Sequence, residues 1–320
     1  MKVKAARAMA RQLSRNVSTG VEHLATLTTL VRDLLRDQQQ TVAELKEVKA
    51  ELVRNRASLQ KQFEQLETLR FAAVRSTLRE VADFVDSHQL DFEDTVSQLA
   101  ERQLSFARFG DGELRMLLRS EYSAGFQRNS IEIRDALARV LSMEGYDPAR
   151  LLLGFPFAYR NLHWSAVWAD IWNDLYDVIP RDATFGTSHV TRPIYFERLG
   201  NRGVELWRRV WEGRRVAVIT GRNSRFELLP GLFDGVKSAH ILETVPRNAF
   251  EEIPAIKQMV EDEDADVFLI ALGPAGTVLA AELSQMGRWA IDVGHINNSW
   301  QMIFDGKPLP ERLPLTRRDG

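Results

Sequence analysis

The sequence predicts an α/β protein, in which a Rossmann-like, mostly parallel sheet is covered by helices and preceded by a long N-terminal helical segment. Beyond about residue 91, short apolar runs typical of strands alternate with amphipathic stretches typical of helices. The run 267–272 is continuously apolar, as in a strand buried on both faces. Residues 1–90 contain no proline and a single glycine, which favours long helix. We therefore expect a helical coiled-coil segment over 1–90, an α/β domain over 91–306 and a loose C-terminal tail over 307–320.

The composition excludes several classes of protein. With 44% hydrophobic and 27% charged residues, the 320-residue chain has the balance of an ordinary soluble protein. No apolar run is long enough to span a bilayer. The chain has no cysteine, which excludes thiol catalysis, cysteine-bound metals and disulfides and is typical of a cytoplasmic protein. The formal net charge is −2, so we expect no nucleic acid partner.

The N-terminal segment carries a heptad repeat. Apolar residues fill six of the seven positions of one column, which consists of Leu24, Val31, Gln38, Leu45, Leu52, Leu59 and Leu66. A second column lies three residues further on and consists of Leu27, Leu34, Thr41, Val48, Asn55, Gln62 and Leu69. A 3.5-residue period sustained over six heptads indicates a coiled coil, so we expect a homo-oligomer. The alternative is that this helix packs on the domain that follows it.

The first 20 residues are basic. They contain Lys2, Lys4, Arg7, Arg11 and Arg15, and no acidic residue precedes Glu22. The apolar face of this stretch is thin and has no aromatic anchor, which favours a solvated helix end. The alternative is peripheral association with an anionic membrane surface, on which a basic amphipathic helix can lie.

The expected elements of the α/β domain follow in order along the chain. Strand-like runs lie at 104–107, 151–154, 182–185, 215–219, 239–242, 267–272 and 289–293. A helical stretch at 77–85 leads into the domain, within which helical patterns lie at 131–142, 162–177, 190–211, 249–261 and 278–286, the last of them stopped by Gly287. Because ligands of parallel sheets bind at the carboxyl ends of the strands, the residues that follow these runs are the candidates for a site.

The hexapeptide 108–113, Arg-Phe-Gly-Asp-Gly-Glu, follows the first of these strands. Asp111 and Glu113 are carboxylates one residue apart, on a turn that Gly110 and Gly112 allow to adopt positive φ. Such oxygen ligands suit Mg²⁺ or Mn²⁺ carrying a diphosphate, and Arg108 supplies a cation for phosphate oxygens. The alternative is a solvated Asp-Gly turn, since a carboxylate-x-carboxylate pattern alone is weakly specific.

A second candidate anion site follows the buried run 267–272. The chain turns at Gly273 and starts a helix that contains Thr277. The first N–H groups of a helix have no partner within the helix, so this turn can bind a phosphate.

Five more polar residues follow strand-like or loop segments of the domain: Arg192, Asn223, Arg225, Asp292 and His295. The planar guanidinium groups of arginines in such loops match phosphate oxygens, and surface salt bridges are the alternative. Asp292 is a candidate base, although its side chain equally suits capping of the next turn. His295 is a candidate for orienting substrate, binding phosphate or relaying a proton.

Together these segments resemble the GT-D-type glycosyltransferase family of bacterial enzymes, over about residues 95–305. The matching segments, in order, are 105–113, 191–193, 223–226, 246–250 and 272–295. The resemblance implies a GT-D fold and transfer of a sugar from a nucleotide-sugar donor, most simply a UDP-linked hexose, to a growing glycan on lipid or protein. It also implies that Asp111 and Glu113 are the metal-associated pair, with Mn²⁺ or Mg²⁺ as cofactor, and that His295 belongs to the site.

Two segments depart from the family pattern. Residues 296–300 are uncharged where the family has an acidic stretch, and residues 227–231 replace a Gly-Asn-Asp-like turn. Both departures bear on the identity of sugar and acceptor more than on the reaction class. Two alternatives are a Rossmann-type methyltransferase or dehydrogenase, for which the third glycine of the G-x-G-x-x-G pattern is missing, and a non-catalytic scaffold whose degenerate domain binds sugar nucleotide or a partner enzyme.

Overall fold

The computed structural model describes residues 2–159 and 161–312. The chain divides into two compact units, Met1–Ala72 and Ala73–Gly320. This division falls well before residue 90, because the helix over Arg75–His88 packs within the second unit: Trp172 donates a hydrogen bond from its indole N–H to Glu80 at 3.1 Å. Within the predicted C-terminal tail, Pro310–Arg312 forms a 3₁₀ turn, and residues 313–320 lie outside the described residues.

The first unit is a single helix, α1 (Lys2–Ala73). The predicted long N-terminal helix is therefore confirmed, although it ends at Ala73 instead of continuing to residue 90. At about 1.5 Å per residue its 72 residues extend over roughly 108 Å. The apolar residues of both heptad columns are exposed, and so are the side chains of Arg7, Arg11 and Arg15. The coiled coil and the membrane contact stay predictions.

The second unit is built on one seven-stranded sheet. Its strands are β1 (Ser105–Arg108), β2 (Leu151–Phe155), β3 (Gly186–Thr187), β4 (Arg215–Gly221), β5 (Ser238–Thr244), β6 (Val267–Ala271) and β7 (Ala290–Asp292). They lie in the order β3-β2-β1-β7-β6-β4-β5, and every pairing is parallel. The predicted parallel α/β fold is confirmed.

Helices cover the sheet. They are α2 (Arg75–His88), α3 (Phe92–Glu101), α4 (Asp111–Leu118), α5 (Ile131–Leu141), α6 (Leu162–Val178), α7 (Pro193–Leu199), α8 (Asn201–Trp211), α9 (Pro230–Phe233), α10 (Ile253–Glu261), α11 (Pro274–Gln285) and α12 (Ile296–Phe304). Two apolar cores result: Trp168 of α6 belongs to one, and Trp207 of α8 belongs to the other. Because both faces are covered, β2 and β6 can be apolar along almost their whole length.

Two predicted elements differ from the structure. The strand expected at 182–185 lies slightly later, as β3, because residues 181–182 form a turn and only Phe185 reaches an isolated bridge with Gln89. The helix expected over 190–211 is broken into α7 and α8 at Gly200, whose φ of +51° ends the first helix. Helices α3, α4, α9 and α12 were not predicted, and each has ten residues or fewer.

Candidate functional site

Most of the predicted site residues lie at the carboxyl edge of the sheet, where parallel α/β proteins bind their ligands. Arg108 ends β1, Asp292 ends β7, and Arg225 lies in the loop after β4. Arg192 follows a 3₁₀ turn, Ser188–Thr191, that continues directly from β3. Strand order brings these separate loops together, although their residues are far apart along the chain.

Arg108 and Asp292 form a buried ion pair. The two side chains meet at 3.1 Å between Nη2 and Oδ1, and Arg108 also donates from Nε to the Asp292 carbonyl at 2.8 Å. The Gly294 N–H donates to Asp292 Oδ1 at 3.1 Å, so this carboxylate also caps the turn after β7. Burial raises the pKa of Asp292, while Arg108 acts in the opposite direction. Asp292 is thus held by structural partners, and Arg108 is directed toward it.

Asp111 and Glu113 lie in the first turn of α4, where their side chains diverge. The Gly110 N–H donates to Glu113 Oε2 at 2.8 Å, an arrangement that closes the start of the helix. Asp111 Oδ2 lies 3.0 Å from Nε2 of His163 on α6. Neither glycine uses the positive φ that it allows: Gly110 has φ −108°, and Gly112 lies within α4.

Glu113 has an unusual protonation equilibrium. Burial, with a smaller contribution from the negative charge of Asp292, raises the pKa of Glu113 to about 7. A β-carbon at Gly110 would lie 2.9 Å from Glu113 Oε2, so a larger residue there would require this carboxyl group to shift. The side chain therefore supports the start of α4, whereas Asp111 is more open, with 38% of its side chain exposed.

His295 lies between two arginines. Its Nδ1 is 3.3 Å from Arg192 Nη1, and its Nε2 is 3.1 Å from Arg225 Nη2. Burial, followed by the positive charges of Arg192, Arg225 and Arg108, lowers the pKa of His295 to about 3, so the ring is neutral at physiological pH. Burial, and then Arg108, lowers the pKa of Arg192 to about 10. This concentration of positive charge favours a bound oxyanion.

The loop after β4 begins with a tight backbone turn. Asn223 has a left-handed conformation with φ +57°, and the Ser224 N–H donates to the Gly221 carbonyl at 3.0 Å. Asn297 of α12 donates from its side-chain amide to the Arg225 carbonyl at 3.1 Å, which ties this loop to the helix that starts beside His295. Asn223 is exposed, and its tight turn directs Arg225 toward the ring.

The turn before α11 supports the site without facing it. Gly273 has φ +59°, and Phe126 stands where its β-carbon would be. Thr277 is fully buried and donates its hydroxyl to the Arg108 carbonyl at 2.7 Å. The predicted ligand role of Thr277 is therefore replaced in the structure by a link between α11 and β1.

Sequence reasoning missed His163 and His189. His163 follows the neighbouring strand β2, and neighbouring parallel strands end at the same edge, so its position after 151–154 was the available signal. His189 is buried and accepts a hydrogen bond from the Phe157 N–H at 3.0 Å. Its ring centroid lies 4.7 Å from that of Tyr159. Burial, with Arg192 and Arg108, lowers its pKa well below the usual range.

The carboxylate ligands near α4 suit a divalent ion that is held mainly by a bound substrate. Asp111 is partly exposed, and a β-carbon at Gly112 would meet nothing within 4 Å. Within residues 2–159 and 161–312, no group of three or more His, Asp or Glu side chains is placed to hold an ion by itself. Mg²⁺ commonly binds one or two carboxylates and takes its other ligands from water and phosphate, so the residues present fit that kind of site.

Comparison with known proteins assigns this edge of the sheet to a described family. A family model described as "Glycosyltransferase GT-D fold" matches residues 106–307. The solved structures that resemble the chain include one of the domain of unknown function 1792, described as having a distinct glycosyltransferase fold. It superposes with a TM-score of 0.66 at 21% identity, over 76% of this chain and 90% of that one. A glycosyltransferase of the same domain from Streptococcus sanguinis superposes with a TM-score of 0.63 at 23% identity, over 73% of this chain and 95% of that one.

Two curated relatives are streptococcal proteins. Glycosyltransferase GlyD of Streptococcus pneumoniae serotype 4 is 27% identical over 244 residues, which is 72% of this chain and 29% of the relative. The probable glycosyl transferase Gly of Streptococcus gordonii is 27% identical over 237 residues, which is 68% of this chain and 33% of the relative. The chain thus spans about a third of the length of these relatives.

Proposed function

Because the chain belongs to the family of glycosyltransferases with the GT-D fold, we propose that it transfers a sugar from a nucleotide-sugar donor to a glycan acceptor. The observation that carries this proposal is the contact of His295 with Arg192 and Arg225 at the carboxyl edge of the sheet. Such a cluster suits the diphosphate of a nucleotide sugar, and the named streptococcal relatives are glycosyltransferases.

In this proposal the two arginines bind phosphate oxygens of the donor. His295, whose two ring nitrogens face these arginines, lies directly before α12, whose first N–H groups also attract an anion. Binding of the diphosphate would offset the positive charges that, after burial, lower the pKa of Arg192 (through Arg108) and of His295 (through Arg192, Arg225 and Arg108) in the free protein. We propose UDP as the nucleotide and a hexose as the sugar, as the family resemblance implies.

We propose that Asp111 holds Mn²⁺ or Mg²⁺ together with the donor diphosphate. When bound, the ion offsets the negative charge that develops on the departing nucleotide. Glu113 supports this position by closing the first turn of α4 through Gly110, and His163 orients the Asp111 carboxylate from the neighbouring helix. Asp292 holds Arg108 and the turn before His295, which favours a positioning role for it over that of a general base.

The proposed acceptor is a growing bacterial glycan carried on lipid or protein. None of the described helices combines the length and the apolar character needed to cross a membrane. We propose a cytoplasmic enzyme that reaches a lipid-linked acceptor at the inner face of the membrane through the exposed basic residues Arg7, Arg11 and Arg15. We expect the wild type to co-sediment with anionic vesicles but not with zwitterionic ones, and a variant with these three arginines replaced by serine to co-sediment with neither. Equal recovery of the wild type and this variant in the supernatant would contradict this location.

Thermal unfolding against a panel of nucleotide sugars, with Mn²⁺, Mg²⁺ or EDTA, tests the donor and the ion. Seven tryptophans lie between residues 164 and 300, so their fluorescence reports on the second unit. A ligand that binds only the native state raises the midpoint by mass action. We expect a UDP-sugar to raise the midpoint in the presence of the ion, and this shift to be lost in Asp111→Asn and in Arg225→Met.

Arg209→Met is the matched control, since Arg209 is an exposed arginine of α8. It is expected to keep the full shift. A shift for S-adenosylmethionine or NAD alone would favour the methyltransferase or dehydrogenase alternative. Donor binding without donor hydrolysis or transfer, across a broad acceptor panel, would favour the non-catalytic scaffold. The absence of any shift with every nucleotide sugar would contradict the proposal.

A further inference from the structure

Helix α1 exposes a continuous apolar stripe. The apolar residues of its two heptad columns are exposed over more than half of their surface, for example Leu24 at 66%, Leu45 at 63% and Leu66 at 65%. Most of the stability of such a helix comes from packing of its apolar face against another element, because propensity alone contributes little. The 3.5-residue spacing of the stripe fits the seam of a coiled coil, and charge decides which helix can lie along it.

The residues that flank the stripe carry opposite charges on its two sides. If the columns of Leu24 and Leu27 are positions a and d, the acidic residues Asp37, Glu44 and Glu51 all lie at position g, and the basic residues Lys49, Arg56 and Arg70 all lie at position e; the other g and e positions are uncharged or histidine. In a parallel, in-register pair, g of one helix faces e of the next heptad in the other. Glu44 then faces Lys49 of the second copy, and Glu51 faces Arg56. In an antiparallel pair g faces g, so these glutamates would repel each other.

The polar residues within the columns favour the same alignment. A parallel, in-register pair places Gln38, Asn55 and Gln62 each beside its own copy, where amide side chains can both donate and accept hydrogen bonds. An antiparallel pair with full overlap, in which Leu24 faces Leu69, places Gln62 beside Val31. That arrangement leaves an amide against an apolar side chain, which is unfavourable.

From these observations we infer that a second copy of this chain covers the stripe, and that the two α1 helices form a parallel, in-register coiled coil. Both helices then end together at Ala73, and each continues into its own second unit. The basic residues that precede Glu22 meet at the opposite end, which doubles the positive charge there. The inference rests on α1 alone and is independent of the proposed transferase activity.

Single cysteines in the full chain test the alignment, since the natural sequence has no cysteine. Leu24→Cys and Leu69→Cys are made separately, oxidised at micromolar concentration and separated on a non-reducing gel. Each is expected to form a covalent dimer with itself. The control, Ala57→Cys, lies on the outer face of the helix and is expected to stay monomeric on the gel. If neither Leu variant links to itself, but a mixture of the two forms a dimer, the helices are antiparallel and the inference is overturned.

Analytical ultracentrifugation tests association without any cross-link. We expect a mass about twice that of a single 36.5 kDa chain; a monomer throughout the micromolar range, or a larger assembly, would overturn the inference. Glu44→Lys with Glu51→Lys turns attractive g–e pairs into repulsive ones and is expected to raise the dissociation constant about tenfold or more. The control, Glu47→Lys with Glu64→Lys, makes the same change of charge on the outer face and is expected to have little effect. Equal weakening by both double variants would contradict the parallel alignment, since net charge alone would then explain it.

Discussion

Replacement of Arg108 by methionine should destabilise the second unit strongly. Methionine keeps the length and apolar stem of the side chain but removes the guanidinium group, which pairs with Asp292 at 3.1 Å and also donates to two backbone carbonyls. The Asp292 side chain is only 2% exposed, so solvent cannot replace the lost partner. Removing one member of a buried ion pair costs about 3–5 kcal/mol, because the other charge is left uncompensated.

The loss of stability in Arg108→Met should also depend on pH. Burial already raises the pKa of Asp292, and without Arg108 that pKa rises further. The native state of Arg108→Met then binds a proton more readily than the unfolded state does, so its stability increases as pH falls through the raised pKa. The difference in unfolding free energy between wild type and variant should therefore be largest at neutral pH and shrink in acid.

Urea unfolding followed by tryptophan fluorescence measures this difference, because the seven tryptophans report on the second unit. A loss of this size corresponds to a fall in midpoint temperature of about 6–20 °C. Arg202→Met is the control: its pair with Glu93 is exposed, at 46% and 42%, and should contribute less than about 1 kcal/mol. Adding Asp292→Asn to Arg108→Met should recover part of the loss. A loss below about 1 kcal/mol, or one that is unchanged between neutral and acid pH, would refute the reasoning.

Three further changes test the packing and charge of the site. The pKa of His295 is lowered to about 3, so as pH falls below about 6.5 the unfolded state binds a proton at this residue and the native state does not. Wild type should therefore lose about 1–2 kcal/mol more stability than His295→Gln between pH 6.5 and 5, as measured by urea unfolding. Parallel pH profiles of the two proteins would contradict this. Gly154→Ala would place a β-carbon 2.6 Å from the ring of Phe106, so we expect a loss of about 1–3 kcal/mol by the same assay, and an unchanged midpoint would show that the core relaxes freely there. Glu113→Ala should cost about 1 kcal/mol by removing the hydrogen bond from the Gly110 N–H, whereas Glu113→Gln should keep most of it; equal losses would contradict a capping role.

Most elements of the α/β domain were predictable because each has a local cause. The buried strand β6 is continuously apolar, and the helix after it ends at Gln285, two residues before Gly287, whose φ is +77°. The break between α7 and α8 was not predicted, since the apolar pattern continues across Gly200 and only the backbone conformation there ends the first helix. Helix α4 was missed for a related reason: Gly110 and Gly112 read as a turn, whereas Glu113 closes a helix start through the backbone.

The sequence by itself determined the long N-terminal helix, the parallel α/β class and the motifs that mark the family, because periodicity and residue preference act over a few neighbouring residues. Only the tertiary structure decided which polar groups meet. His295 contacts Arg225 and Arg192 from 70 and 103 residues away, and Arg108 reaches Asp292 across 184. Such contacts follow from the order of the strands and from burial, which no local pattern contains. The same burial commits Asp292 and Thr277 to supporting the fold and leaves Asp111 and the two arginines around His295 as the groups best placed to meet a ligand.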